Sequence, residues 1–146
     1  MKKEILKIYV DGSCRDNGGE NAIGGIGIYG HINENITLEV AKIVNARTNN
    51  EAEYWAIIQA LWLLQDIFFH KIIIYSDSML VVNQINGSWG IKQDNLKILY
   101  GTYRRAKKLL FGRTILIKWI PRLSNKKAND LAQKITEDYG REKIND

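Results

Sequence analysis

The sequence predicts an α/β domain on a five-stranded mixed sheet: a three-strand antiparallel meander plus two parallel strands, with helices on both faces. Three observations predict it. The first third of the chain holds three short segments of alternating apolar character separated by turn residues. A long stretch with helical signals follows, apolar on nearly every side. After it comes Lys71–Ser76, a continuous β-branched run of the kind found in parallel strands covered on both faces. The implied order, βββαβααβα, packs helices onto a mixed sheet.

Residues 5–12 form the first strand, ending at Asp11-Gly12. Ala22–Tyr29 alternates as well, with Ile26 and Ile28 on one face. Gly25 and Gly27 on the other face allow close backbone approach. Residues 30–35 are read as the turn, and Ile36–Val40 as the third strand. Thr48 then caps a helix running to about Asp66, and Glu51 three residues on completes a capping box. A second helix covers Ser78–Ile85 and ends near Asn86-Gly87. Asp94 caps a third helix, whose buried stripe is Leu96, Leu99, Tyr103 and Leu110. Thr114–Ile120 is the last strand, stopped by Pro121. Ser124 or Asn125 caps a final helix through about Tyr139. Residues 1–140 are read as one domain and 141–146 as a frayed tail.

Composition narrows the function classes. With 146 residues, 45% hydrophobic and 25% charged, the chain can bury a core of its own. A single cysteine, Cys14, excludes an intrachain disulfide and a cysteine-rich zinc site. No signal-type apolar run follows the charged start, so a reducing, cytoplasmic setting is expected. The most apolar window, Ala52–Leu64, carries Glu53 and Gln59 and is too short to span a bilayer. Net charge is +5, and its distribution is uneven. No acidic residue lies between Asp94 and Asp130, an interval that includes Arg104, Arg105, Lys107, Lys108, Arg113 and Arg122. A block of one sign favours a polyanionic partner; the plain alternative is a solvated helix face.

Four acidic residues occupy positions from which they can converge. Asp11 and Asp77 each close a strand of similar pattern, Glu53 lies in the first turns of the long helix, and Asp130 in the first turns of the last one. Each has an ordinary alternative. Asp11 before Gly12 suits a turn, Asp77 before Ser78 suits a helix cap, and Asp130 suits a helix N-terminus. Glu51 competes with Glu53, but capping accounts for it. The joint placement is what stands out. Gathered carboxylates repel unless cations neutralise them, and an oxygen-only ligand set suits Mg²⁺ or Mn²⁺. Such a cluster beside a basic block is what metal-assisted phosphodiester cleavage requires.

The stretches Tyr9-Val10-Asp11-Gly12-Ser13-Cys14, Thr48-Asn49-Asn50-Glu51-Ala52-Glu53, Tyr75-Ser76-Asp77-Ser78 and Ala128-Asn129-Asp130-Leu131-Ala132 come in this order along the chain. Together they resemble the motif set of the type 1 ribonuclease H family, over nearly the whole length. The resemblance implies a ribonuclease H-like fold and cleavage of the RNA strand of an RNA–DNA hybrid. It also implies two Mg²⁺ ions, with Mn²⁺ as an alternative, and 5′-phosphate and 3′-hydroxyl products. It assigns Asp11, Glu53, Asp77 and Asp130 as catalytic metal ligands. The Asn amides, Glu53 and backbone groups of Gly12, Ser13 and Cys14 are expected to sense the RNA 2′-hydroxyl, with the glycine letting the RNA backbone approach closely. Asn17, Asn49 and Asn50 match RNA-contacting positions, Thr48 a DNA-phosphate contact, and Trp89 an aromatic of the DNA-strand channel.

The chain also departs from the family pattern. Many members carry a histidine in the loop before the fourth carboxylate. Here that loop, Trp119–Asn125, has none, and Arg122 is the residue positioned to meet a phosphate. Two other readings accompany the hybrid-specific one: a broader nuclease that also cuts double-stranded RNA, and a silent domain that only binds nucleic acid. A monomer is expected.

Overall fold

The computed structural model describes residues 4–145, with the backbone alone for 37 and 143–145. The charged start Met1–Lys3 and Asp146 of the expected frayed tail lie outside the described residues. The elements are β1 (Ile5–Arg15), β2 (Ile23–Ile32), β3 (Asn35–Val44), α1 (Asn49–Leu64), β4 (Lys71–Ser76), α2 (Met79–Ile85), α3 (Asp94–Lys108), β5 (Thr114–Trp119) and α4 (Lys126–Asn145). A single 3₁₀ turn, Arg122–Ser124, leads into α4. The strands form one sheet in the order β3-β2-β1-β4-β5; β1 pairs antiparallel with β2 and parallel with β4, and β4 pairs parallel with β5.

The predicted elements are all present, and several boundaries move. β1 does not end near Asp11 but runs on to Arg15, because β2 continues to pair with it through Arg15↔Ile23. β2 likewise continues to Ile32. The expected six-residue turn shrinks to Asn33-Glu34, where Asn33 takes the left-handed conformation (φ 54°) that a tight hairpin needs and asparagine tolerates. Thr48 caps α1, its hydroxyl accepting from the Glu51 N–H at 3.2 Å. Glu51 reaches back past Thr48, however, and accepts from the N–H of Arg47 at 2.8 Å. Ser78, rather than Asp77, caps α2 through its hydroxyl. Asp94 is the first residue of α3 and makes no cap; its carboxylate lies 3.8 Å from Lys97 Nζ. α4 extends past Tyr139 to Asn145.

Strand parity sorts the two faces. Leu6, Ile8 and Val10 of β1, Ile26 and Ile28 of β2, and Ile72 and Ile74 of β4 are buried together with Ala56, Ile57, Ala60 and Leu61 of α1. Leu96, Leu99, Tyr103 and Leu110 close this core from the α3 side, as their spacing predicts. On the opposite face, α4 lies across β2 at the two glycines. A Cβ on Gly27 would sit 2.1 Å from Ala128 O, and one on Gly25 2.5 Å from Thr136 Cγ2. The close approach anticipated for the glycine strand is thus made by a helix. Among the described residues, no helix is long and apolar enough to cross a membrane.

Candidate active site

The site forms where the parallel ladder stops. The last β1–β4 pair is Val10↔Ser76. The next residue of each chain segment is an aspartate, so Asp11 and Asp77 come side by side by register alone. Asp11 is still held in β1, opposite Gly27, and it is buried (2% exposed). Its partner glycine faces α4, so Asp11 emerges on the α4 side of the sheet. Gly12, one residue on, faces α1.

Gly12 has a packing task here. It is buried in extended strand, and a Cβ there would meet Ala52 C at 2.2 Å and Glu53 N at 2.4 Å. Its missing side chain lets the first turn of α1 sit on β1, and that contact delivers Glu53 to Asp11. One oxygen from each of Asp11, Glu53 and Asp77 lies within 4.8 Å of the others. The backbone of Gly12 and Ser13 also lines the cavity in front of them, about 340 Å³ in volume.

The electrostatics follow from crowding three acids in a nearly dry place. Burial pushes the Asp11 carboxyl up to about 6, with Asp77 adding to the rise; hydrogen bonds from Glu53 and Asn129 and the charge of Arg122 oppose it. Glu53 is raised well above the ordinary carboxylate range, by its burial first and then by Asp11. Its Oε2 is fully buried and has no hydrogen-bond partner. A buried carboxylate oxygen without a hydrogen-bond partner, on a residue grouped with two other acids, is a costly arrangement. A divalent cation would relieve it, and the all-oxygen donor set fits Mg²⁺ or Mn²⁺.

The fourth carboxylate does not join them. Asp130 is exposed on the far flank of α4, where it pairs with Lys126 at 2.9 Å beside Tyr29, Glu39 and Lys134. Helix phase is the reason. Ala128, Ala132 and Thr136 face the β2 glycines. That orientation turns Asn125, Asn129 and Gln133, spaced four apart, toward the carboxylates, and turns Asp130 away. Asn129 Nδ2 donates to Asp11 Oδ2 at 2.8 Å. Asn125 is 1% exposed, and its Nδ2 donates to Val10 O at 2.9 Å and Asp77 Oδ2 at 3.2 Å. It precedes α4 as expected, but its side chain is turned into the sheet edge and does not cap. Asn129 and Gln133 line the cavity. None of the three amides was singled out as a site residue from sequence, although their i, i+4, i+8 spacing was the available signal.

The remaining expected contacts divide. Asn49 and Arg122 line the same cavity as the carboxylates. Asn49 also organises its rim: its Oδ1 accepts from Cys14 N–H at 2.9 Å, and its own N–H donates to Asn17 Oδ1 at 2.8 Å. Cys14 is buried and its thiol is raised, by burial first and then by Glu51 and Asp16, consistent with a packing role. Thr48 is occupied as the α1 cap. Asn50 is half-buried in the first turn of α1, outside the cavity lining. Trp89 is 45% exposed in the turn after α2 and is likewise not part of that lining.

Comparison with known proteins finds relatives of the whole fold. The family described as "Reverse transcriptase-like" matches residues 9–135. The chain is 34% identical over 131 residues to "Ribonuclease HI" of Halobacterium salinarum, covering 89% of this chain and 63% of that protein. It is 45% identical over 92 residues to "Ribonuclease H" of Clostridium botulinum, covering 61% of this chain and 56% of that one. The chain thus spans less than two thirds of the length of these curated relatives. Among solved structures, the N-terminal RNase H domain of a Mycobacterium tuberculosis protein superposes with a TM-score of 0.83 at 27% identity, covering 96% of this chain and 99% of that one. LC11-RNase H1 in complex with an RNA/DNA hybrid superposes with a TM-score of 0.81 at 28% identity, covering 92% and 98%.

Proposed function

The chain belongs to the type 1 ribonuclease H family, and from that premise we propose that it hydrolyses the RNA strand of RNA–DNA hybrids, leaving 5′-phosphate and 3′-hydroxyl ends. The observation that carries this reading is the meeting of Asp11, Glu53 and Asp77, and beside it the burial of Glu53 Oε2 without a hydrogen-bond partner. Asp11, Glu53 and Asp77 would hold Mg²⁺ or Mn²⁺, which would supply Lewis-acid polarisation of the scissile phosphate and lower the pKa of water.

The protein's own groups do the positioning. Asp11 and Asp77 are fixed by sheet register and Glu53 by the seat of α1 on Gly12, so the acids need little reorganisation when they act. Arg122, which lines the cavity with the carboxylates, brings positive charge to a phosphate entering the site. The amides of Asn49 and Gln133 and the backbone of Gly12 and Ser13 offer donors and acceptors together, which is what reading a 2′-hydroxyl demands. The basic residues of α3 provide charge for the strand backbones, so sequence preference is low. That LC11-RNase H1 is found with an RNA/DNA hybrid supports the same substrate here.

The test is cleavage of a labelled RNA–DNA duplex with and without Mg²⁺ or Mn²⁺, beside a double-stranded RNA of the same sequence. Metal-dependent cutting of the hybrid alone is expected. Equal rates on both duplexes would make this a broader nuclease, and hybrid binding with no cutting at any metal concentration would make it a binding domain.

A further inference from the structure

The ribonuclease reading brings two cations to this site, yet the structure offers them unequal accommodation. Three carboxylates converge, and the fourth group facing them is an uncharged amide. Asn129 is half-buried on the cavity side of α4 and gives its Nδ2 to Asp11 Oδ2 at 2.8 Å. The adjacent carboxylate, Asp130, cannot substitute. It lies one residue away on the helix, roughly 100° around it, where it is exposed and paired with Lys126. One turn earlier Asn125 repeats the device, giving its Nδ2 to Asp77. Two of the three acids therefore have an asparagine amide as a built-in partner. Glu53 Oε2 has none, and is buried.

Two consequences follow from charge count. A cation beside Glu53 would meet the negative charge of three converging acids. A second cation on the α4 side of Asp11 meets only an oxygen of Asp11 and, after the Asn129 amide turns over, a neutral carbonyl oxygen. It must also displace an existing hydrogen bond. Hard-cation affinity is tuned by the number of charged ligands, so the second position is the poorer one.

Resting on that reading, we propose that Asn129 makes this a site of one tight and one weak divalent cation, with the weak position lying between Asp11 and Asn129. Asn129 is thereby a specificity-setting residue for metal occupancy. Its amide holds Asp11, and it would release that carboxylate only to a second ion.

The experiment is calorimetric titration of the metal-free full chain with Mn²⁺, alongside Asn129→Asp and Asn129→Leu, with the thermal shift on adding Mn²⁺ as a second readout. Wild type is expected to take up one ion in the first, tight event. Asn129→Asp is expected to bind the second ion about tenfold tighter than wild type and to gain more thermal stability from Mn²⁺. Asn129→Leu, which removes the amide without adding charge, is expected to retain the tight event. Two ions of similar affinity in wild type, or superimposable isotherms for wild type and Asn129→Asp, would overturn the proposal. If Asn129→Asp does not fold without metal, the stoichiometry of wild type alone decides between those outcomes. The hybrid cleavage assay is separate: two equal ions in an active enzyme defeat only this inference, and one tight ion in a protein that never cuts hybrid defeats only the ribonuclease reading.

Discussion

Asn129 donates its side-chain amide to Asp11 at 2.8 Å, while its neighbour Asp130 points across the other flank of α4 to Lys126 at 2.9 Å. A shift of one position along a helix separates the group that addresses the carboxylates from the one that addresses solvent. The expectation of four converging acids is therefore replaced by three acids and an amide.

The clearest consequence concerns Asp130. Asp130→Asn should leave hybrid cleavage within about twofold of wild type, since surface ion pairs contribute little. Asp77→Asn and Glu53→Gln should each lower the rate on the order of 100-fold or more, as expected for loss of a metal-holding group. Single-turnover rates on a labelled hybrid would measure all three. A loss in Asp130→Asn matching that in Asp77→Asn would contradict the orientation of α4.

Acid crowding predicts an unusual pH profile for the metal-free protein. The Asp11 carboxyl is raised to about 6 from its ordinary 3.8, so between those values the folded state holds more protons than the unfolded one. Its contribution is complete below about pH 4 and is lost as pH rises through about 6. Glu53 acts in the same direction. Asp11→Asn should therefore be more stable than wild type near pH 7.5 in a chelator, by up to ~3 kcal/mol, with the gap closing near pH 4. Denaturant melts of both proteins at the two pH values would show it. A gap that widens toward acid pH would reverse the sign and reject the account.

Gly12 is a packing requirement of the site. Gly12→Ala places a methyl against the backbone of Ala52 and Glu53, and α1 must lift to admit it. A loss of at least ~1–3 kcal/mol is expected, together with weaker Mn²⁺ binding because Glu53 moves with the helix. Unchanged stability and metal affinity in Gly12→Ala would show that the α1 seat is not needed.

Asn125 ties β1, β4 and the start of α4 together. Asn125→Ala leaves Val10 O without this donor and should cost about 1–3 kcal/mol. Asn125→Asp should be worse than alanine at neutral pH, because it sets a carboxylate against Asp77 and a carbonyl, and should recover toward acid pH as it protonates. Thermal melts of both variants across pH would test this ranking.

Much of the fold was legible because its signals are local. The continuous run Lys71–Ser76 appears as the strand predicted, the alternation of Ile26 and Ile28 against Gly25 and Gly27 sorts two faces, and Thr48 caps α1. The misplaced boundaries have a shared cause. β1 outlasts Asp11, and β2 outlasts Tyr29, because ladder pairing between neighbouring strands continues through residues that locally signal a turn. Glu51 likewise passed for a capping-box residue from spacing alone, but its carboxylate finds Arg47 N–H and Asn95.

The sequence by itself determined the order of the elements, the family, and three of the acids, since Asp11, Asp77 and Glu53 occupy positions set by strand ends and a helix start. Tertiary structure decided the fourth position. Whether residue 129 or 130 faces Asp11 depends on the rotation of α4 about its axis. The two β2 glycines set that rotation by admitting Ala128, Ala132 and Thr136 against the sheet. Both residues are polar and adjacent, so hydropathy cannot rank them. Only the packing of a helix onto a glycine strand, more than a hundred residues away in the chain, turns the amide inward and the carboxylate out.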